Sequence, residues 1–320
     1  MTNLDEKLWN VRTVGISGHI RPDGDCVGST LAVYNYIQKY YPQIEVDIYL
    51  QPIPQEFLFL KNADKICTDS REDTIYDVFF VLDCGDEARL GENVKYFHLA
   101  KHTVCIDHHI SNQSFADDNY IIPDASSTCE LVFDLMDSKK ITKEIAECIY
   151  TGMVHDTGMF QYSSTSAKTM NVAGQLMEQG IDYSKIVDET FYQKTYRQNR
   201  ILGQAILDSK LYLDGRCIVS YLTQVQMKAF GCNSNDLGGI VNQLRITKGV
   251  DVAIFLYENE NGTYKVSLRA NGDFNVAEIA CLFGGGGHIK AAGCTMEGHI
   301  EEIIQKLLEA IKKLYDKRNY

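Results

Sequence analysis

Three short β-rich runs near the start of the chain each deliver the backbone straight into acidic or imidazole side chains. Val14–Ser17 leads to Gly18-His19 and then to Asp23-Gly24-Asp25, Val78–Leu82 leads to Asp83, and Val104–Ile106 leads to Asp107-His108-His109. A further strand candidate, Val46–Leu50, lies between the first two, and amphipathic stretches, Cys26–Tyr40 and a shorter one around Phe57–Leu60, separate the strands. Such alternation predicts an α/β fold, a doubly wound and mainly parallel sheet with helices on both faces. Open sheets of this kind bind their ligands beyond the carboxyl ends of the strands, where these polar residues fall.

After Ile122 the pattern turns helical, with three- and four-residue apolar spacing over Ser127–Met136, Lys143–Val154 and Ala167–Gln179, and Gly180 placed as a C-cap. Asp182–Leu207 reads as polar helix without a strong apolar face, hence as a linker and a natural hinge. Beyond it, Lys210–Leu213 with Arg216–Leu222, and Val252–Tyr257 with Tyr264–Ala270, form hairpins about Asp214-Gly215 and Asn261-Gly262. Helical runs at Leu237–Ile246, Val276–Phe283 and Ile300–Tyr315 complete a smaller α/β domain. The expected organisation is a first domain over 1–181, a helical linker over 182–207 and a second domain over 208–320.

Asp23 and Asp25, two apart, would aim their carboxylates the same way on extended backbone. Asp156, ending the apolar run Ile149–Val154, is a fourth acid of this type. Each alone reads equally as a helix cap. Together, buried carboxylates repel and are expensive without a compensating cation. Oxygen and imidazole ligands suit Mn²⁺ or a similar ion, and four carboxylates balance two divalent cations, the arithmetic of two-metal hydrolysis. Water is then the nucleophile, and a covalent route through Cys26 lacks a fitted His partner.

These residues resemble the four ordered motifs of the DHH phosphoesterase superfamily, over the first 160 or so residues. The resemblance implies two divalent cations, Mn²⁺ being the expected metal. It implies His19, Asp23, Asp83 and Asp156 as ligands of one ion, and Asp25, Asp83, His108 and Asp156 as ligands of the other. Asp107 would orient the site and His109 would contact the scissile phosphate. Arg89 reaches the phosphate or forms a salt bridge, and Ser126, Ser127 and Thr128 cap a helix or serve substrate. His155 is expected to point elsewhere, and His98, His102 and His299 to lie on the surface.

In the second half, four glycines, Gly284 to Gly287, precede His288 and can present backbone N–H groups to a phosphate. GGGHIKAAG resembles the signature of the DHH-associated C-terminal domain, implying substrate contacts from Gly285, Gly286, Gly287, His288 and the strand-end Arg269. Arg245 and Lys248 read as surface cations. From Gly18 to Gly293 the layout is similar to the bifunctional oligoribonuclease and PAP phosphatase group (nanoRNases). That implies degradation of short single-stranded RNA of about two to five nucleotides and dephosphorylation of 3′-phosphoadenosine 5′-phosphate. The alternative is a dinucleotide or cyclic dinucleotide phosphodiesterase in second-messenger turnover. Homodimer formation is left open.

A net charge of -12 excludes wrapping of long duplex nucleic acid, whose affinity comes from many cations. MTNLDEKLWNVRT lacks a signal-peptide pattern, and no run of about 18 apolar residues suggests a membrane span. Ten cysteines without a CxxC pair, among them Cys84, Cys105, Cys148 and Cys281 in apolar runs, read as buried thiols of a cytoplasmic protein.

Overall fold

A computed structural model describes residues 3–69 and 74–318. Its first sheet contains β1 (Thr13–Ser17), β2 (Glu45–Tyr49), β3 (Ile66–Cys67), β4 (Val78–Leu82), β5 (Thr103–Asp107) and β6 (Asp118–Ile121). All pairings are parallel, in the order β3-β2-β1-β4-β5-β6. The chain builds outward from β1 to β3 and then returns to β4 on the other side of β1. The resulting switch point opens a crevice above the carboxyl ends of β1 and β4.

β4 is apolar throughout because both its faces are covered. Phe80 and Leu82 join the core under α1 (Gly24–Tyr40), while Phe79 and Val81 face a second cluster with Tyr49, Tyr76 and α2 (Val94–Leu99). Over the first face also lie α3 (Thr128–Leu135), α4 (Lys143–Asp156) and α5 (Ala167–Glu178). α1 departs from the amphipathic expectation, since Gly24 through Ile37 are all buried. α3 and α4 cover the flank that would otherwise meet solvent. Around Phe57–Leu60 only a single 3₁₀ turn forms, Gln55–Phe57, because Pro52 and Pro54 hold the preceding backbone extended. β6 carries the polar sequence DNYI, half-buried at the sheet edge, which hides it from hydrophobic patterning.

The chain forms two compact units that meet at Gln193 and Lys194. The stretch between 182 and 207 is shared between them. Ile186 and Val187 of α6 (Tyr183–Val187) enter the first core, while Ile201 and Ala205 of α7 (Tyr196–Leu207) enter a core of the second unit. Gly180, in the left-handed region at φ 75°, ends α5 as a cap.

In the second unit, β7 (Lys210–Tyr212), β8 (Cys217–Leu222), β9 (Val252–Glu258), β10 (Tyr264–Ala270), β11 (Gly286–His288) and β12 (Ala291–Met296) form a mixed sheet in the order β11-β12-β10-β9-β8-β7. Both hairpins pair antiparallel, and β8 and β9 run parallel. α8 (Gln224–Ala229) and α9 (Ile240–Arg245) pack with α7 on one face, and α10 (Val276–Leu282) and α11 (Ile300–Arg318) on the other. All ten cysteines are free thiols, seven of them buried. Cys281 corrects the expectation: it is exposed, on the outer side of α10.

Close approach of α1 and α4 depends on Gly28, where an added Cβ would lie 2.4 Å from the Cys148 carbonyl oxygen. Helix propensity alone favours Ala over Gly by about 1 kcal/mol. The backbone clash outweighs this, so Gly28→Ala should lower stability by roughly 1–3 kcal/mol. Urea titration should show a lower midpoint at unchanged slope; an equal or higher midpoint would refute the close-packing account.

Candidate metal centre

The loop after β1 places two carboxylates by different means. Asp23 caps α1, accepting hydrogen bonds from the amides of Asp25 (3.1 Å) and Cys26 (3.2 Å). Asp25 is already in the first helical turn and buried. The extended geometry expected for this pair is therefore absent, and the two carboxylates meet different histidines. Gly24 between them has no room for a side chain, since a Cβ would sit 2.4 Å from the His155 ring. His155 does point away from the acids, hydrogen-bonding Thr190 Oγ1 at 2.9 Å between Phe57 and Phe191. It forms the support beneath the Asp23–Asp25 turn, a role visible in the sequence only as adjacency to Asp156.

Asp83, just past β4, sits in the left-handed region at φ 55°, which costs a non-glycine residue about 1–2 kcal/mol but suits Asp better than most. Asp156 is the last residue of α4. It is followed by Gly158, Met159 and Phe160 at φ 55°, 62° and 62°, a left-handed turn that stops the helix there.

Two groups of side chains share Asp83. His19 Nε2 faces Asp83 Oδ2 at 3.4 Å and Asp23 Oδ1 at 3.7 Å. His108 Nε2 faces Asp156 Oδ2 at 3.3 Å, Asp83 Oδ1 at 3.7 Å and Asp25 Oδ2 at 4.0 Å. Ligands about 2.1 Å from one ion stand roughly 3 Å apart when adjacent, so the spacing fits a cation in each group. Each imidazole is turned to offer Nε2: Nδ1 of His19 donates to the Ile20 carbonyl at 2.8 Å, and that of His108 to the Ala125 carbonyl at 3.3 Å. Carbonyl anchoring of the far nitrogen is the arrangement that fixes a metal-binding histidine. Asp156 meets His108, and Asp83 and Asp23 lie near enough to repel its charge.

Asp107 is fully buried and holds a different place. It accepts from His109 Nδ1 at 2.7 Å and from Asn112 Nδ2 at 2.7 Å, so it orients His109. Asn112 was not singled out by sequence reasoning; its signal is the spacing of Asn after the histidine pair.

Crowding these groups together shifts their ionisation in different directions, with Asp23, despite burial, lowered to about 2 by hydrogen bonds from His19 and the helix amides. Burial raises Asp25 well above the usual carboxylate range, with Asp83 and Asp156 adding repulsion. Asp156 is pushed up to about 7, again chiefly by burial. Burial would depress His19, but hydrogen bonds and charge from Asp23 and Asp83 override it and raise the ring to about 10. His108 likewise opposes burial and rises to about 9 beside Asp156, Asp25 and Asp83. Asp107 is lowered despite burial, through His109 and Asn112. Cys26, fully buried, has its thiol pushed well up, against a nucleophilic role.

Helix α3 completes the site. Ser127 caps it, as expected, by accepting from the Glu130 amide. The amides of Thr128 and Cys129 donate to Asp25 at 2.7 and 2.9 Å, and Thr128 Oγ1 donates to Asp83 at 3.2 Å. The Arg89 backbone carbonyl ties the loop after β4 to Ile20 at 2.8 Å. Its half-buried guanidinium has no ion-pair partner among the described residues, against the salt-bridge alternative. A cavity of about 340 Å³ adjoins His19, lined by residues following β1, β2, β3 and β4, including Gln51, Thr68, Leu90 and Asn93.

In the second unit, Arg269 donates through Nε to Asn242 Oδ1 at 3.1 Å and through a terminal nitrogen to the Leu268 carbonyl at 3.0 Å. The end of the glycine run forms the edge strand β11, Gly286–His288. A Cβ at Gly285 would strike the Gly293 carbonyl at 2.2 Å, and one at Gly287 the Ala291 carbonyl at 2.5 Å. Only Gly286, of the three proposed contacts, has open space. Sheet register runs from Arg269 to Ala291 to position 288 across β10, β12 and β11. The His288 side chain lies outside the described residues.

Residues 13–153 match the DHH family, N-terminal domain, and residues 214–316 match the DHHA1 domain. The chain is a DHH-family phosphoesterase. Along 95% of its length it is 28% identical to the bifunctional oligoribonuclease and PAP phosphatase NrnA of Thermus thermophilus, covering 91% of that protein. The Bacillus subtilis protein of the same name is 26% identical over 92% of the chain and 93% of its own length. A solved exopolyphosphatase-related protein from Bacteroides fragilis superposes with a TM-score of 0.90 at 28% identity, covering 97% of this chain and 94% of that one. No helix among the described residues of this DHH phosphoesterase is long and apolar enough to cross a membrane.

Cations held by these two groups would take the Nε2 lone pairs of His19 and His108, rings raised to about 10 and about 9 by the neighbouring acids despite burial. Metal uptake by the phosphoesterase should therefore expel protons, and affinity should strengthen as pH rises toward about 9. Calorimetric titration of Mn²⁺ at pH 7 in buffers of differing ionisation heat should detect about one proton or more released. No release would show that these rings are not ligands.

Proposed function

We propose that this phosphoesterase cleaves very short oligoribonucleotides to mononucleotides and converts 3′-phosphoadenosine 5′-phosphate to AMP, using two divalent cations, with Mn²⁺ the fitting metal. The observation that carries the reading is the pair of histidine-anchored carboxylate groups joined by Asp83. Support for the substrate class comes from relatives bearing that name along nearly the whole chain. His19, Asp23, Asp83 and Asp156 would hold one ion, and Asp25, Asp83, His108 and Asp156 the other. When bound, the pair supplies positive charge to the phosphate oxygens and acidifies water.

The chain's own groups do the rest. Asp107 accepts the Nδ1 hydrogen of His109 and holds the ring so that Nε2 can meet a phosphate oxygen. Arg89 supplies a guanidinium from the neighbouring loop. The cavity beside His19 is large enough for a nucleoside attached to the phosphate under attack. In the second unit, Arg269, held by Asn242, and the backbone of Gly285, Gly286 and Gly287, with His288, are the proposed substrate contacts.

The test is a ladder of labelled RNAs from two to about 24 nucleotides, incubated with protein and Mn²⁺, with 3′-phosphoadenosine 5′-phosphate in parallel. The expected result is mononucleotides from the shortest members, AMP from the bisphosphate, and loss of roughly a thousandfold or more in kcat for Asp83→Ala. Cleavage confined to dinucleotides would overturn the oligonucleotide reading. Parent-like turnover by Asp83→Ala would overturn the site.

A further inference from the structure

Ser127-Thr128-Cys129-Glu130 has the S-x-x-E spacing of a capping box, in which the glutamate would fold back to the amide of the capping serine. Ser127 performs its half, accepting from the Glu130 amide at 3.1 Å. The Glu130 carboxylate is turned elsewhere. Its Oε2 accepts from Ser126 Oγ at 2.5 Å and Thr169 Oγ1 at 2.7 Å, and its Oε1 faces Lys168 Nζ at 3.3 Å. Ser126, Glu130 and Thr169 are 1%, 2% and 0% exposed, so this is a buried, satisfied network that fixes geometry strongly. Burial works against the charged carboxyl, yet the two hydroxyls and Lys168 bring it below the usual glutamate range.

The segment pinned in this way is the one that touches the metal centre. The Ala125 carbonyl anchors His108, the Thr128 and Cys129 amides hold both oxygens of Asp25, and the Thr128 hydroxyl meets Asp83. Ser126 lies in the middle of that segment, and Thr169 belongs to the first turn of α5, a separate helix. We propose that Glu130 is a positioning residue for the metal centre: through Ser126 and Thr169 it clamps the 125–129 segment, and so sets the aim of Asp25, Asp83 and His108. This rests on the two-cation reading given above. A capping box would have stabilised α3 alone; the diverted carboxylate trades that for a rigid frame behind three candidate ligands.

The test compares the full-length parent with Glu130→Gln, Glu130→Ala and Ser126→Ala. Mn²⁺ alone is titrated calorimetrically, kcat and KM are measured on a dinucleotide, and folding is followed by thermal melting. Removing groups that orient metal ligands typically weakens affinity 10–100-fold, so Ser126→Ala and Glu130→Ala should lose about 10-fold or more in Mn²⁺ affinity. kcat should fall with KM within about twofold, and Glu130→Gln, which keeps an acceptor oxygen, should recover part of both losses. Should Glu130→Ala fail to fold, Ser126→Ala, which deletes one hydroxyl, carries the test. Folded variants with parent Mn²⁺ affinity and kcat would overturn the positioning role and leave Glu130 as a stitch between α3 and α5. A parent that takes up no Mn²⁺ would instead overturn the metal reading, and the positioning role with it.

Discussion

One carboxylate, Asp83, has to serve two histidine-containing groups at once, and much of the first unit is arranged around that requirement. Its Oδ2 faces His19 and its Oδ1 faces His108. An ordinary strand residue points to one face of a sheet or the other. Asp83 escapes the alternation by leaving β4 in left-handed backbone, which turns its side chain over the end of the sheet. The switch of strand order between β1 and β4 supplies the open space there, and β5 delivers Asp107, His108 and His109 from the other side.

Such an arrangement concentrates negative charge in a poorly solvated place, and the surrounding structure shows how it is tolerated. Backbone amides at the start of α3 face Asp25, and those at the start of α1 face Asp23, each helix presenting its positive end to an acid. Those dipoles do not offset the burial and repulsion that raise Asp25 and Asp156. Partial neutralisation by dipoles, with a remainder that only cations or protons can complete, is what a metal site needs: stable enough to fold without its ions, yet still attractive to them.

Strand ends and their acids were legible in the sequence because both signals are local. A β-rich run stops, and a carboxylate follows within a few residues, as at Val78–Leu82 and Asp83. What stayed hidden depends on through-space packing. The pairing of Asp25 with α3, the support of Gly24 by His155 and the diversion of Glu130 to Thr169 each join residues far apart in the chain. The Asp23–Asp25 pair departs from extended geometry because the helix begins two residues earlier than its apolar pattern, at Gly24. The glycines before His288 carry a related ambiguity. Flexibility and close strand packing both call for a missing Cβ, and only the β11–β12 register distinguishes them.

The acidity of the chain is compatible with a polyanionic ligand only if the positive charge is local and conditional. With a net charge of -12, long-range attraction for RNA is absent, and a strand of many phosphates gains nothing from the protein's overall field. A cation pair reverses the sign of the potential at one crevice alone, so binding is confined to whatever phosphate can enter it. Under the proposed function Arg89 and Arg269 would each offer a single guanidinium to an individual phosphate, where a basic surface would track a backbone. Under the proposed function a preference for short substrates would then follow from electrostatics before any steric limit is invoked. Each additional nucleotide would bring one more phosphate against a protein of net charge -12.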